Sequence, residues 1–90
     1  MYKSKVWIHK NKEDVVSNKG DFWLDCTFFD KPIDDNIITI TEELIVDIQD
    51  ELIWNNDYGP GEYKIFKTLN MFDPGQNDGF SYSVMVYKVQ

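Results

Sequence analysis

The chain contains no arginine and no alanine, a single cysteine (Cys26) and a single histidine (His9). Without arginine, a phosphate or carboxylate substrate loses its best bidentate clamp. One cysteine cannot build a disulfide framework. One histidine leaves any histidine-based metal centre dependent on carboxylates for its remaining ligands. Five glycines and three prolines are too few for a collagen-like or low-complexity sequence. No apolar run approaches the roughly 20 residues needed to cross a bilayer as a helix, and the stretch around Val6, Trp7 and Ile8 is too short for a secretory signal. Cys26 sits in an apolar alternating segment and reads as a buried, reduced thiol, so the expected compartment is the cytoplasm.

What is present suffices for one domain spanning residues 1–90. Apolar residues make up 42% of the chain and aromatics 16%, spread along its whole length, which argues against disorder. A chain of this size buries roughly 60–65% of the surface its unfolded form exposes. Nine lysines face 16 carboxylates, for a net charge of -7. The acids are concentrated between residues 13 and 62, whereas residues 1–12 carry four lysines and no acid. Such a field repels nucleic acid and anionic lipid and steers basic partners. The absence of Ala and Arg, beside nine Ile and nine Lys, is what an A/T-rich gene would encode.

The pattern predicts strands at 2–9, 22–29, 62–69 and 80–89, with a short β-branched run at 37–40 as a candidate edge strand. In the second strand Phe22, Leu24, Cys26 and Phe28 share one face. Residues 10–21 read as a polar loop and 71–79 as the tip of a hairpin. A helix is predicted from Thr41, as N-cap, to about Asn55. Its apolar stripe is Leu44/Ile45, Ile48 and Leu52, and Gly59-Pro60-Gly61 is the stop. The order ββ(β)αββ gives an α+β, two-layer fold: a mainly antiparallel four-stranded sheet with one central helix across it.

No catalytic, cofactor or metal-binding pattern is present: no Gly-rich phosphate loop, no G-x-S-x-G, no C-x-x-C and no H-E-x-x-H. Asp34-Asp35-Asn36 and the segment from Asp73 to Gly79 offer oxygen ligands, but turn chemistry explains both. The expectation is a non-enzymatic protein without a cofactor, with His9 half-exposed at a strand end. The predicted helix carries Glu42, Glu43, Asp47, Asp50 and Glu51 and no lysine. Glu43/Asp47 and Asp47/Glu51 would be repulsive i,i+4 pairs there.

An acidic wall of this kind, extended by Asp34 and Asp35 and anchored by Trp54 and Tyr58, suits a basic protein partner. DNA or RNA itself would be repelled from it. The expected function is therefore binding and inhibition of a basic, nucleic-acid-handling protein, the strategy of phage-borne counter-defence proteins and DNA mimics. The other sheet face, with Trp7, Trp23, Phe29, Phe66 and Tyr87 among Lys3, Lys5 and Lys64, suggests two alternatives. One is a single-stranded nucleic-acid platform. The other is an interface burying the rings, as in a homodimer or other structural module.

Overall fold

The computed structural model describes residues 1–17, 22–71 and 79–89. It contains six strands: Tyr2–His9 (β1), Phe22–Phe28 (β2), Ile37–Ile40 (β3), Ile45–Ile48 (β4), Gly61–Asn70 (β5) and Tyr82–Lys88 (β6). They form one mixed sheet in the order β3-β5-β6-β1-β2-β4. All pairings are antiparallel except β1 with β6, which run parallel at the centre. The α+β class therefore holds, but the four-stranded antiparallel sheet under a central helix does not. Six strands, with one parallel pairing among them, replace it.

The connectivity forces the sheet to curl. Strands β3 and β4 lie at opposite edges, which a flat sheet would separate by five strand spacings, about 24 Å. Yet Ile40 ends β3 and Ile45 begins β4, and five residues reach at most about 17 Å. The two edges must therefore bend toward each other, so the sheet encloses its own core. Val6 and Ile8 of β1, Leu24, Cys26 and Phe28 of β2, Ile40 of β3, Tyr63 and Ile65 of β5, and Val84 and Val86 of β6 are all buried in one cluster. Strand alternation produces this inner set directly, as expected for β1, β2 and β6.

The predicted long helix is absent. Residues 42–44 form a turn, and Ile45–Ile48 pair with β2 as an edge strand. Three of these four residues are β-branched, which favours a pleated, half-buried strand. Thr41 caps nothing. The helical turn starts later, at Glu51–Ile53 (α2), and continues as a π-helical turn over Trp54–Tyr58. Its N-cap is Asp50, whose Oδ1 accepts from the backbone N–H of Leu52 and Ile53 at 3.0 and 3.2 Å. The repulsive i,i+4 carboxylate pairs do not arise.

Of the predicted helical stripe, Leu44, Ile45 and Ile48 are half-buried, while Leu52 is 73% exposed. The chain leaves the π turn at Gly59, with φ of 79°, a left-handed conformation that glycine adopts without a Cβ clash. The stop at Gly59-Pro60-Gly61 is therefore observed.

Two smaller expectations also change. The first half of the 10–21 loop contains a helical turn, Lys12–Val16 (α1), capped by Asn11, with Val15 buried and packed toward β1 and β6. His9 is buried rather than half-exposed; its Nδ1–H donates to the Val86 carbonyl at 3.0 Å. The parallel neighbour β6 covers the end of β1, and a carbonyl there gives the imidazole a partner. Most of the turn chemistry read in 71–79, including Asp73 and Asp78, lies outside the described residues, as do Gly20 and its neighbours. Among the described residues, no helix is long and apolar enough to cross a membrane.

Candidate functional site

Where the curled sheet approaches closure, the free edge of β4 and the α2 turn bound a groove of about 350 Å³. Its lining comprises Glu42 from the β3–β4 turn, Ile45, Val46, Asp47 and Ile48 from β4, and Glu51, Trp54 and Asn55 from the helical turns. Three carboxylates line it and, among the described residues, no lysine does. Glu43 and Asp50 are exposed on the flanking turns. Five of the predicted acidic residues are thus gathered in one region, although no long helix gathers them. Beside them, Val46 and Leu52 are exposed apolar side chains.

The groove exists because β4 is bulged. Leu24 pairs with Ile48 and Asp25 with Asp47, but Cys26 pairs with Ile45, so Val46 is the extra residue. A bulge bends the strand and re-aims its side chains. Gln49 extends the ladder by two bonds: its N–H donates to the Trp23 carbonyl, and its Oε1 accepts from the Trp23 N–H. Among the described residues the opposite edge of β4 bears no strand, and such an edge is a template for an added strand, although Asp47 Oδ1 already accepts from the Ile48 N–H at 3.0 Å.

Trp54 is 1% exposed and stacks on Tyr63, with ring centroids 6.2 Å apart. Its Nε1–H is buried without a hydrogen-bond acceptor. Tyr58 is half-buried and stacks on Phe22 at 5.5 Å. Two bonds tie the end of the π turn down: Tyr63 Oη donates to the Gly59 carbonyl at 2.8 Å, and Lys88 Nζ to the Tyr58 carbonyl at 2.6 Å. These rings therefore hold the helical turn against the sheet. They are not the surface anchors expected from the sequence, although Trp54 contributes to the groove wall.

Asp34 and Asp35 do not join the acidic groove. Asp34 Oδ1 accepts from the Thr68 N–H at 2.7 Å, and the Asp35 N–H donates to the Ile65 carbonyl. Both are therefore tied to β5 by hydrogen bonds, at the opposite end of β3 from the turn bearing Glu42. Of the aromatic set, Trp7 and Trp23 are directly paired and Tyr87 lies on the same outer face. Phe66 is the extra residue of a β5 bulge, and Phe29 is 71% exposed beyond the end of β2. The groove residues Ile45, Val46, Ile48 and Asn55 were not anticipated. The β-branched run 45–48 was the signal that could have found them.

Cys26 is a free, fully buried thiol. Burial, then the neighbouring Asp25 carboxylate, pushes it up to about 12, the reverse of what a nucleophile requires. No group of three or more His, Cys, Asp or Glu side chains suited to holding a metal occurs among the described residues.

The Asp50 cap separates two roles that a charge-removing substitution can otherwise confuse. Asp50→Ala should lower the unfolding free energy by about 1 kcal/mol, whereas Asp50→Asn should keep most of it. Urea denaturation midpoints check both.

No protein-family model, curated protein or solved structure matches this chain.

Proposed function

We propose that this protein is a non-enzymatic interaction protein whose acidic groove takes up a basic, extended segment of a partner protein. The observation carrying this reading is that Glu42, Asp47 and Glu51 line one groove beside an unpaired strand edge, with no lysine among them. Carboxylates in such a groove favour lysine- or arginine-rich chains and raise their association rate. The β4 edge offers main-chain hydrogen bonds to an extended segment once Asp47 releases the Ile48 N–H. Exposed Val46 and Leu52 supply apolar contact that charge alone does not.

A basic segment of this kind is common in proteins that handle nucleic acid, and occupying it would inhibit them. That inhibition, its use as phage counter-defence and a cytoplasmic setting are parts of the same proposal. Charge placement supports it, and so does the buried free thiol, which suits a reducing compartment.

The test is titration with a lysine-rich peptide of about ten residues. Exposed charge pairs contribute about 0.2–1 kcal/mol each, so Glu42→Gln/Asp47→Asn/Glu51→Gln should weaken binding about tenfold. Binding should also fall as salt rises above about 0.15 M. Unchanged affinity in the folded triple variant would show that the peptide binds elsewhere and would overturn the proposal.

A further inference from the structure

We propose that the outer face of β1, β2, β5 and β6 binds single-stranded nucleic acid, with bases stacking on Trp7 and Trp23 and phosphates drawn to Lys5, Lys64 and Lys67. This site shares one border with the acidic groove, at Asp47, which pairs with the outward residue Asp25. The strand register assembles it from residues far apart in sequence. Trp7 pairs with Trp23 across β1–β2, with Met85 across β1–β6, and Met85 pairs with Lys67 across β6–β5. Residues paired in this way share a face, so Lys67, Met85, Trp7 and Trp23 form one row. It crosses three strand spacings, about 14 Å, enough for two or three bases in a stacked run.

The neighbouring rows supply charge. Lys5 pairs with Ser83 and Asp25, and its Nζ lies 5.3 Å from the Trp7 ring centroid and 4.4 Å from that of Trp23. An ammonium group over both rings places a cation beside any base that stacks there. Lys64 pairs with Tyr87 on the other side. Trp7, Trp23, Met85 and Tyr87 are all half-buried, so packing fixes the rings while part of each stays accessible. Among the described residues the carboxylates sharing this face are Asp25, beside Lys5, Asp47, paired with Asp25 from β4, and Glu62, near the start of β5.

Lys3, Lys5, Lys64 and Lys67 therefore outnumber these three carboxylates, although the whole chain carries -7. This local reversal of sign is complementary to a polyanion and unfavourable for a second copy packed face to face. Rings lying on a sheet cannot reach bases inside a duplex, whereas an unpaired strand can lay its bases on them.

The test is quenching of tryptophan fluorescence by oligothymidylate and by oligouridylate of about twelve nucleotides, at about 0.05 M salt. A saturable quench limited to two of the three indoles is expected, since Trp54 is buried. Three phosphate contacts give a slope of log affinity against log salt of about -2. Lys5→Gln/Lys67→Gln should reduce that slope to about -0.7 and weaken binding at least tenfold. Circular dichroism would verify that this variant is folded.

The groove variant Glu42→Gln/Glu51→Gln, which leaves Asp47 in place, should bind both oligonucleotides as the parent does, which separates this proposal from the peptide-binding one. Quenching by both probes identifies the shared base and phosphate chemistry, and quenching by oligouridylate alone narrows it to RNA. Absence of quenching at low salt would overturn the proposal. So would an equal quench in the folded lysine variant, or a concentration-dependent dimer that shields both indoles from oligonucleotide.

Discussion

Trp54→Ala should remove about 3–5 kcal/mol of unfolding free energy, the cost typical of emptying a fully buried indole site. In a domain of this size that is about a fifth or more of total stability. The effect is large because Trp54 fills the place where the sheet fails to close. It belongs to the same buried cluster as Ile40 of β3, stacks on Tyr63 of β5, and borders the groove beside β4.

Trp54→Phe should cost much less, because the indole N–H has no acceptor to lose. Leu52→Ala is the matched control. A helix with the stripe Leu44, Ile48 and Leu52 would put Leu52 in the core, and its loss would then cost about 2–5 kcal/mol. In the curled sheet Leu52 is exposed, so the change should stay within about 0.5 kcal/mol. Urea denaturation of the three variants decides between the two architectures. A costly Leu52→Ala with a mild Trp54→Ala would restore the helix.

That comparison also shows where the sequence misleads. A helix was inferred from apolar residues three and four apart, and Ile45 and Ile48 have that spacing. In a regular strand, residues three apart lie on opposite faces. The Val46 bulge removes one step from the alternation, so Ile45 and Ile48 pair with the inward residues Cys26 and Leu24. A bulged strand thereby imitates a helical period. A second bulge, at Phe66, breaks the alternation of β5: beyond it Lys67 pairs with outward Met85 and Thr68 with buried Val84.

Where no bulge intervenes, alternation alone was sufficient. The bounds of β1 agree residue for residue, and Phe22, Leu24, Cys26 and Phe28 are all buried. The acidic site was legible only in part. Five carboxylates close in sequence stay close in space, but hydrogen bonds to β5 carry Asp34 and Asp35 elsewhere. The pairing of Trp7 with Trp23 depends on register between separate strands, which local sequence does not specify.

Alkaline pH should destabilise the protein steeply, with Cys26 as a principal cause. In the unfolded chain its thiol titrates near 9.0, whereas in the native core burial and the nearby Asp25 carboxylate hold it at about 12. Between those values the unfolded state releases the proton and the native state keeps it. Native Cys26 then binds more protons than unfolded Cys26, so stability falls as pH rises. The slope is up to about 1.4 kcal/mol per pH unit, and the total about 4 kcal/mol by pH 12. Well below pH 9 the thiol is neutral in both states and contributes no pH dependence.

Tyr63, raised by burial and then by Tyr58, and Tyr58, raised by burial and then by Asp57 and Asp14, act in the same direction from about pH 10 upward. Cys26→Ala isolates the thiol. At pH 7 this variant should be less stable than the parent by about 1 kcal/mol, the cost of a small cavity. By about pH 10.5 the parent should have lost about 2 kcal/mol through the thiol while the variant loses only the tyrosine share, so the order of stability should invert. Denaturation midpoints at both pH values measure the crossing. A gap that stays constant across that range would mean that Cys26 ionises as freely in the native protein as in the unfolded chain, which is incompatible with a thiol enclosed by the curled sheet.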